Sequence, residues 1–374
     1  MKSVVIAGYS RSPFHFANKG ALAKVRPDDL AAFVVRDLIS KTGVNPDDIE
    51  DLICGCSFPE GEQGFNLARI MVFLSGLPST VGGVTVNRFC GSSMQAVHQA
   101  AGAIAMGAGE AFICAGVESM TRVPIMGFNP LPNPTLYHDN ANAFMGMGET
   151  AEVVAQQYDI SRDAQEKFAV ASHEKAAKAQ AEGRFDDEIV PINGVERDGC
   201  IREGTTQDDL SGLNPAFDKD GSVTAGTSSP LTDGAAAVLV CSEDYAKAHN
   251  IEALARIKSV AISGCAPEVM GMGPVGSTRK ALARAGLSLE DLDVVELNEA
   301  FSSQSLACIN ELGLDPAKIN LDGGALALGH PLGATGARIV GKVASVLKRE
   351  GAKYGLATQC IGGGQGIATI VEAI

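Results

Sequence analysis

Two cysteines, one histidine and one asparagine stand in this chain in surroundings that suit acyl transfer through a thioester. Cys90 lies in Val86-Asn87-Arg88-Phe89-Cys90-Gly91-Ser92-Ser93-Met94, and Cys360 opens Cys360-Ile361-Gly362-Gly363-Gly364-Gln365-Gly366. Between them come Asn298-Glu299-Ala300-Phe301 and Gly329-His330-Pro331. Each cysteine sits among small residues where a strand pattern meets a turn or a helix, an arrangement that leaves the sulfur reachable and backbone N–H groups free beside it. A helix predicted to begin at Ser92 puts Cys90 at a positive helix end, which favours the thiolate. His330, held between glycine and proline, suits a general base titrating near neutrality.

Plainer readings apply to the neighbouring candidates. Cys114 and Cys241 fall inside apolar strands and read as core residues, and His98 and His249 read as structural. A glycine-rich turn between two strands is common, and an isolated Asn298 is as much a helix cap as a catalytic amide. The combination of two cysteine motifs with a histidine and an asparagine favours chemistry over each plain reading taken singly.

A chain of 374 residues suggests two or three structural units. Hydrophobic residues make up 45% and charged residues 20%, as in an ordinary globular protein. A formal charge of −14 argues against nucleic acid or an anionic membrane as the general partner, while allowing a local basic patch for a phosphorylated ligand. Nine cysteines without a disulfide-like framework or metal-site spacing point to a reducing cytoplasm and to no bound metal. Met1–Ile6 reads as the start of a strand rather than a signal peptide, and no apolar run reaches membrane-spanning length.

The elements that must position these residues alternate between strand and helix. Strands are predicted at Ser3–Ala7, Asp51–Gly55, Val81–Asn87, Ala111–Ala115 and Ala235–Cys241. Helices are predicted at Pro27–Lys41, Ser92–Met106 and Ser161–Glu182. Gly43-Val44-Asn45-Pro46-Asp47-Asp48-Ile49-Glu50-Asp51-Leu52 resembles Gly286-Leu287-Ser288-Leu289-Glu290-Asp291-Leu292-Asp293-Val294-Val295, an offset of 243 residues. The same offset carries Cys90 to the neighbourhood of His330, and Gly116 to that of Cys360. The chain therefore reads as two copies of one βα unit that give reactive groups at equivalent corners. A proline-rich, loop-rich segment interrupts the pattern from about 119 to 230.

Taken together, the four blocks resemble the thiolase family, over essentially the whole chain. The resemblance implies an α/β fold of five layers, αβαβα, from two repeated βα halves with an inserted loop domain. The expected boundaries are 1–118 with 231–252 for the first half, 119–230 for the loop domain covering the site, and 253–374 for the second half. It implies that Cys90 is the acylated nucleophile, that His330 activates it and helps bind the thioester oxygen with a water held by Asn298, and that Cys360 shuttles a proton at the acyl α-carbon. The N–H groups of Cys90 and Gly362 would form a second oxyanion hole. For coenzyme A, which enters as a substrate and leaves no need for a metal or redox cofactor, the matching positions are Arg202, Ser229, Met270, Ala300 and Phe301. Met147 and Phe217 would line the pantetheine path.

The expected activity is cleavage of 3-ketoacyl-CoA by coenzyme A, as in fatty acid β-oxidation. Short-chain biosynthetic members carry His-Met-Gly where this chain has Gly146-Met147-Gly148, so the degradative branch is the better match. An acyl pocket is expected under the insertion, where Met126, Phe128, Leu131, Phe144, Met145 and Met147 cluster in sequence. The alternatives are a biosynthetic acetoacetyl-CoA enzyme, a ketoacyl synthase, a non-enzymatic acyl-CoA-binding relative and a papain-like Cys/His protease. A homodimer or homotetramer is expected, with a hydratase–dehydrogenase subunit as a candidate partner. Incubation with acetyl-CoA followed by mass spectrometry of a quenched digest should find the acetyl group on Cys90; acetyl on another cysteine alone would remove Cys90 from this role.

Overall fold

The computed structural model describes residues 2–374. Its first half runs β1 (Val4–Arg11), β2 (His15–Phe16), α1 (Pro27–Thr42), β3 (Ile49–Gly55), α2 (Leu67–Leu74), β4 (Gly82–Val86), α3 (Ser92–Met106) and β5 (Ala111–Ser119). Next come α4 (Pro134–Asp139), α5 (Met147–Gln157), α6 (Arg162–Ala181) and α7 (Gln207–Ser211), and then β6 (Thr232–Ser242) and α8 (Glu243–Ala248). The second half holds β7 (Ala255–Gly264), α9 (Gly273–Ala285), β8 (Val294–Leu297), α10 (Ser302–Leu312), α11 (Ala325–Leu328), α12 (Leu332–Glu350), β9 (Tyr354–Ile361) and β10 (Gln365–Glu372).

Local chemistry sets the helix ends. Pro27 opens α1, where a missing N–H costs nothing, and Gly43 closes it at φ +65°. Ser161 caps α6 by accepting the Ala164 N–H at 3.2 Å. Several strands run further than their apolar pattern suggested, β1 and β5 among them. β1 extends to Arg11 and β5 to Ser119, because Arg11, Glu118 and Ser119 are buried with partners inside the protein. A reading by hydrophobicity stops at the first polar residue, whereas the ladder continues wherever polar side chains are satisfied internally.

The strands form one hydrogen-bonded path, β4-β3-β5-β6-β1-β7-β10-β9-β8, with β2 on β6. Within each half the same connections recur. β3 pairs parallel with β5, β5 antiparallel with β6, and β6 antiparallel with β1. Correspondingly, β8 pairs parallel with β9, β9 antiparallel with β10, and β10 antiparallel with β7. The counterpart of β4 is reduced to a single bridge between Val295 and Ile319. Within the sheet the halves join through the β1–β7 ladder, where Val5 pairs with Arg256 and Ile6 with Ala255. The offset of 243 holds in space: it carries Ala111, the first residue of β5, onto Tyr354, the first residue of β9.

Five layers result. α1 and α2 pack on the outer face of the first half, and α9 and α10 on that of the second. α3 and α12 lie in the middle, buried between the two halves with residues from β1, β5, β6, β8, β9 and β10. The halves differ at one connection. β9 reaches β10 through Gly362-Gly363-Gly364, whereas residues 120–231 separate β5 from β6 and lay α5 and α6 against α10 and α11. No helix among the described residues is long and apolar enough to cross a membrane.

The middle layer is packed to backbone contact. A Cβ on Gly336 of α12 would stand 2.2 Å from the Met94 nitrogen of α3. A Cβ on Gly102, also on α3, would meet nothing within 4 Å. Gly336→Ala should therefore lower stability by about 1–3 kcal/mol. Gly102→Ala should raise it by about 0.5–1 kcal/mol through helix propensity. Urea unfolding measures both, and a Gly336→Ala protein as stable as the parent would contradict this packing.

Candidate active site

Cys90 sits on a tight turn that is built rather than merely permitted by small residues. Phe89, just before it, takes φ +42°, an uncommon conformation for a bulky side chain. The turn is clamped on three sides. Ser92 Oγ donates to the Phe89 carbonyl at 2.6 Å and accepts the Arg88 N–H at 2.9 Å. Asn87 Oδ1 accepts the Phe89 N–H at 2.8 Å. Gln359 Nε2 donates to the Cys90 carbonyl, tying the turn to β9. Gly91 lies so close to Ile361 that a Cβ there would stand 2.6 Å from Ile361 Cδ1.

Burial, not the helix end, governs the thiol. Cys90 is almost wholly enclosed, and burial pushes its thiol up to about 12. The Gly362 N–H pulls it down and the Glu118 charge pushes it up, each by less than burial does. The expectation of a thiolate favoured by the start of α3 is therefore corrected: Cys90 rests as a thiol and needs a base to take its proton.

His330 is set by a chain of hydrogen bonds. Gly329 takes φ +100° and leaves no room for a side chain, since its Cβ would stand 2.6 Å from Thr232 Oγ1. That same oxygen accepts the His330 N–H at 3.1 Å. His330 Nδ1 lies 2.6 Å from Thr335 Oγ1, whose own hydrogen goes to the Pro331 carbonyl. This arrangement favours the tautomer with the ring hydrogen on Nδ1, which makes the Nε2 lone pair an acceptor. Nε2 lies 3.4 Å from Asn298 Nδ2. Burial, helped by Arg338, pushes the imidazole down to about 3. The expected titration near neutrality is corrected as well: the ring is a neutral base.

Asn298 directly follows β8 and is fully buried, with its N–H donating to the Thr358 carbonyl at 3.0 Å. Its Oδ1 has no partner among the described residues. A buried, unpaired amide oxygen beside a histidine is a seat for a water or a substrate donor. Cys360 is buried too, and burial pushes its thiol well above the ordinary range, with Cys90 adding to the effect.

Two apolar clusters bring the candidates together. Cys90 packs with Ala17, Met120 and Leu332, with Phe58 and Met147 against them. Cys360 packs with Ala151, Ala155, Val223, Met270, Ala300 and Phe301, again with Met147 against them. Met147 thus bridges the two sulfurs' surroundings. Gly362 faces Phe89 and Met147, 3.6 and 3.8 Å from where a Cβ would stand. Phe217 meets Phe301 edge-on, with ring centres 5.9 Å apart, and the Ser229 N–H donates to the Ala300 carbonyl at 3.0 Å. Arg202 stands apart from this group. It lines a separate pocket with Phe16, His173, Thr205 and Ser228, and its guanidinium lies 5.5 Å from the Phe16 ring centre.

Part of the expected acyl pocket is not there. Met126, Phe128 and Leu131 are 48%, 59% and 81% exposed and face solvent, and Phe144 packs near Tyr137. Ala17, Phe58, Met120 and Leu332 surround Cys90 in their place, together with Met147. Sequence clustering failed because the proline-rich loop turns these apolar side chains outward, while the side chains packed on Cys90 come from separate segments. Thr335, Thr232, Gln359 and Glu118 were also missed. Only Thr335 carried a local signal, as a hydroxyl one turn beyond His330-Pro331. His98 and His249 are structural as expected: one lies 2.9 Å from Thr369 Oγ1, and the other stacks on Tyr245.

A separate cavity lies between β1, α1 and the end of α12. It is lined by Lys41, Arg184, Lys342, Lys348 and Arg349 among others. Each of these cations is already paired with a carboxylate, so the cavity offers no free charge for a ligand.

Comparisons with known proteins agree with this architecture. Residues 4–244 match the family model described as thiolase, N-terminal domain, and residues 251–373 match thiolase, C-terminal domain. The chain is 46% identical to a 3-ketoacyl-CoA thiolase of Bacillus subtilis and 48% identical to one of Aliivibrio fischeri, covering all of both chains in each case. It superposes with a TM-score of 0.93 on human mitochondrial 3-ketoacyl-CoA thiolase in complex with CoA, at 38% identity over 100% of this chain and 98% of that one. The Bacillus anthracis acetyl-CoA acetyltransferase gives the same TM-score, at 39% identity over 100% and 99%. With family models spanning nearly its whole length and close relatives matched end to end, this chain belongs to the thiolase family.

Proposed function

We propose that the chain is a degradative 3-ketoacyl-CoA thiolase, an acyltransferase that cleaves 3-ketoacyl-CoA with coenzyme A to acetyl-CoA and a shortened acyl-CoA. Relatives of that name match along their whole length at 46% and 48% identity. The observation that carries the reading is the Cys90 sulfur beside the Gly362 N–H, in a wall shared through Met147 with Cys360.

In the proposed mechanism Cys90 attacks the 3-keto carbon while the lone pair of His330 Nε2 takes its proton. The neutral imidazole and the Thr335 hydrogen bond support this role. The carbon–carbon bond then breaks, and acetyl-CoA departs as an enolate that Cys360 protonates, a thiol kept protonated by burial. The Gly362 and Cys90 N–H groups and an Asn298-held water would stabilise the developing oxyanions, each donor contributing on the order of 3 kcal/mol. Coenzyme A finally takes the acyl group from Cys90, its pantetheine arm passing Met147, Phe217, Ser229, Met270, Ala300 and Phe301, with Arg202 at the far end.

Self-association belongs to the same proposal. β4 is a sheet edge, and Val84 on it and Phe73 on the adjoining α2 are exposed apolar side chains that a second copy would cover. The biosynthetic alternative uses the same residues. Glycine at position 146, where short-chain biosynthetic members carry histidine, favours the degradative reading.

Substrate range tests the choice. The apolar wall of Phe58, Met120, Met147 and Leu332 should make kcat/KM rise over the first added carbons, by about fourfold per buried methylene. A chain-length series at fixed coenzyme A measures this; turnover of acetoacetyl-CoA alone would replace the degradative reading with the biosynthetic one. The pH profile tests the protonation states. With Cys90 at about 12 and His330 at about 3, the reactive thiol–imidazole form is the resting form between those values. The kcat/KM for acylation should therefore stay flat between about pH 6 and 9. A limb with a midpoint near the ordinary histidine value of about 6.5 would contradict the neutral pair.

A further inference from the structure

The least expected group near the nucleophile is a buried carboxylate. Glu118, the penultimate residue of β5, is 1% exposed. Its Oε2 accepts the Ser57 N–H and the Gly333 N–H, each at 2.8 Å. Its Oε1 accepts the Phe58 N–H at 3.2 Å and Gln63 Nε2 at 3.0 Å, with Cys56 Sγ at 3.7 Å. Every partner is a donor and none is a cation. Burial pushes the Glu118 carboxyl up from its ordinary value, and the Ser57, Gly333 and Phe58 N–H groups pull it back down by stabilising the anion.

These bonds join the two sides of the site. On one side, the Ser57 carbonyl accepts from Asn87 Nδ2, and Asn87 fixes the Phe89 N–H in the nucleophile's turn. Phe58 packs beside Phe89, ring centres 6.0 Å apart, and against the Cys90 cluster. On the other side, Gly333 belongs to the first turn of α12, three residues after His330, and its neighbour Leu332 packs on Cys90. A Cβ at Gly333 would stand 2.8 Å from both Glu118 Oε2 and the Cys56 Cα, so the contact leaves no slack.

We propose that Glu118 is a positioning residue for acyl transfer: its carboxylate locks the nucleophile's turn to the helix that begins after His330, and its negative charge faces the nucleophilic sulfur. The proposal rests on Cys90 as the acylated nucleophile. The titratable groups that act on that sulfur are Glu118 from β5 and Cys360 from β9, with Cys56 behind Glu118 and His330 on the loop before α12. His330 and both other cysteines are neutral at working pH, so Glu118 is the fixed charge in the set. It opposes a free thiolate in the resting enzyme and favours proton transfer only in concert with attack on a thioester or ketone.

Alkylation of Cys90 by iodoacetamide, followed by mass spectrometry across a pH series, reads this charge without requiring turnover. In the parent enzyme the midpoint should lie above about pH 9; a midpoint below about pH 8 would overturn the proposal. In Glu118→Gln the midpoint should fall by about one unit, so that alkylation at pH 8 speeds up about tenfold. In the same variant kcat should fall by about tenfold or more with KM little changed. Glu118→Asp keeps the charge but shortens the reach, and should lose kcat while its alkylation stays slow. A Glu118→Gln curve superposable on the parent's, in a protein of unchanged circular dichroism, would reduce Glu118 to a purely structural tie. Acetyl-CoA labelling of Cys90 in the parent separately checks the reading on which the proposal rests.

Discussion

The contact between α3 and α12 is the constraint on which the site depends. These helices occupy the middle layer, one with Cys90 just before its first residue and the other with His330 just before its own. They approach until the Gly336 backbone touches that of Met94, and Gly116 of β5 meets the Gly333 carbonyl just as closely, 2.2 Å from where a Cβ would stand. Close-packed interiors transmit position rather than absorb displacement. Cys90 and His330, the proposed nucleophile and base, are therefore located by the thickness of a glycine, and Glu118 and Gln359 add directional bonds to the same junction. An oversized side chain here would move reacting groups as well as cost stability.

Burial then decides the protonation states. Cys90, Cys360 and His330 all lie out of water, and each is driven toward its neutral form. Among the forces on Cys90, desolvation outweighs both the Gly362 N–H and the Glu118 charge. A neutral resting site suits a reaction whose charge appears only transiently. Fixed N–H groups at Gly362, and the unpaired Asn298 oxygen where a water fits, are ready before that charge develops and need no reorganisation when it does.

The internal repeat accounts for both the symmetry and the asymmetry of the site. Equivalent helices contribute equivalent corners, which is why two helix starts converge. The asymmetry comes from one connection. In the second half β9 turns straight into β10, and three glycines leave the N–H of Gly362 at the nucleophile's sulfur. In the first half the matching connection is expanded into residues 120–231, which supply Met120, Met147 and the Val223–Ser229 stretch around the same space.

Much was legible in the residues alone. The strand–helix alternation, the cap residues Pro27, Gly43 and Ser161, the 243-residue repeat and the four reactive blocks are local patterns, governed by backbone stereochemistry and by side chains within a turn or two of one another. The repeat brings Cys90 together with His330, and Gly116 with Cys360, at equivalent corners, while Asn298 joins them through its own motif and the family resemblance. Their protonation states could not be inferred, because desolvation depends on what surrounds a group in three dimensions: the same cysteine at a helix start would be acidic in water and is not acidic here. The acyl wall was equally illegible. Ala17, Phe58, Met120 and Leu332 come from four segments, whereas Met126, Phe128 and Leu131, adjacent in sequence, face solvent. Glu118 marks the limit most clearly. In the sequence it is one carboxylate at the end of an apolar strand, and only the tertiary structure gathers the Ser57, Phe58, Gln63 and Gly333 N–H groups around it, since hydrogen bonds between distant segments exist only once packing has brought those segments together.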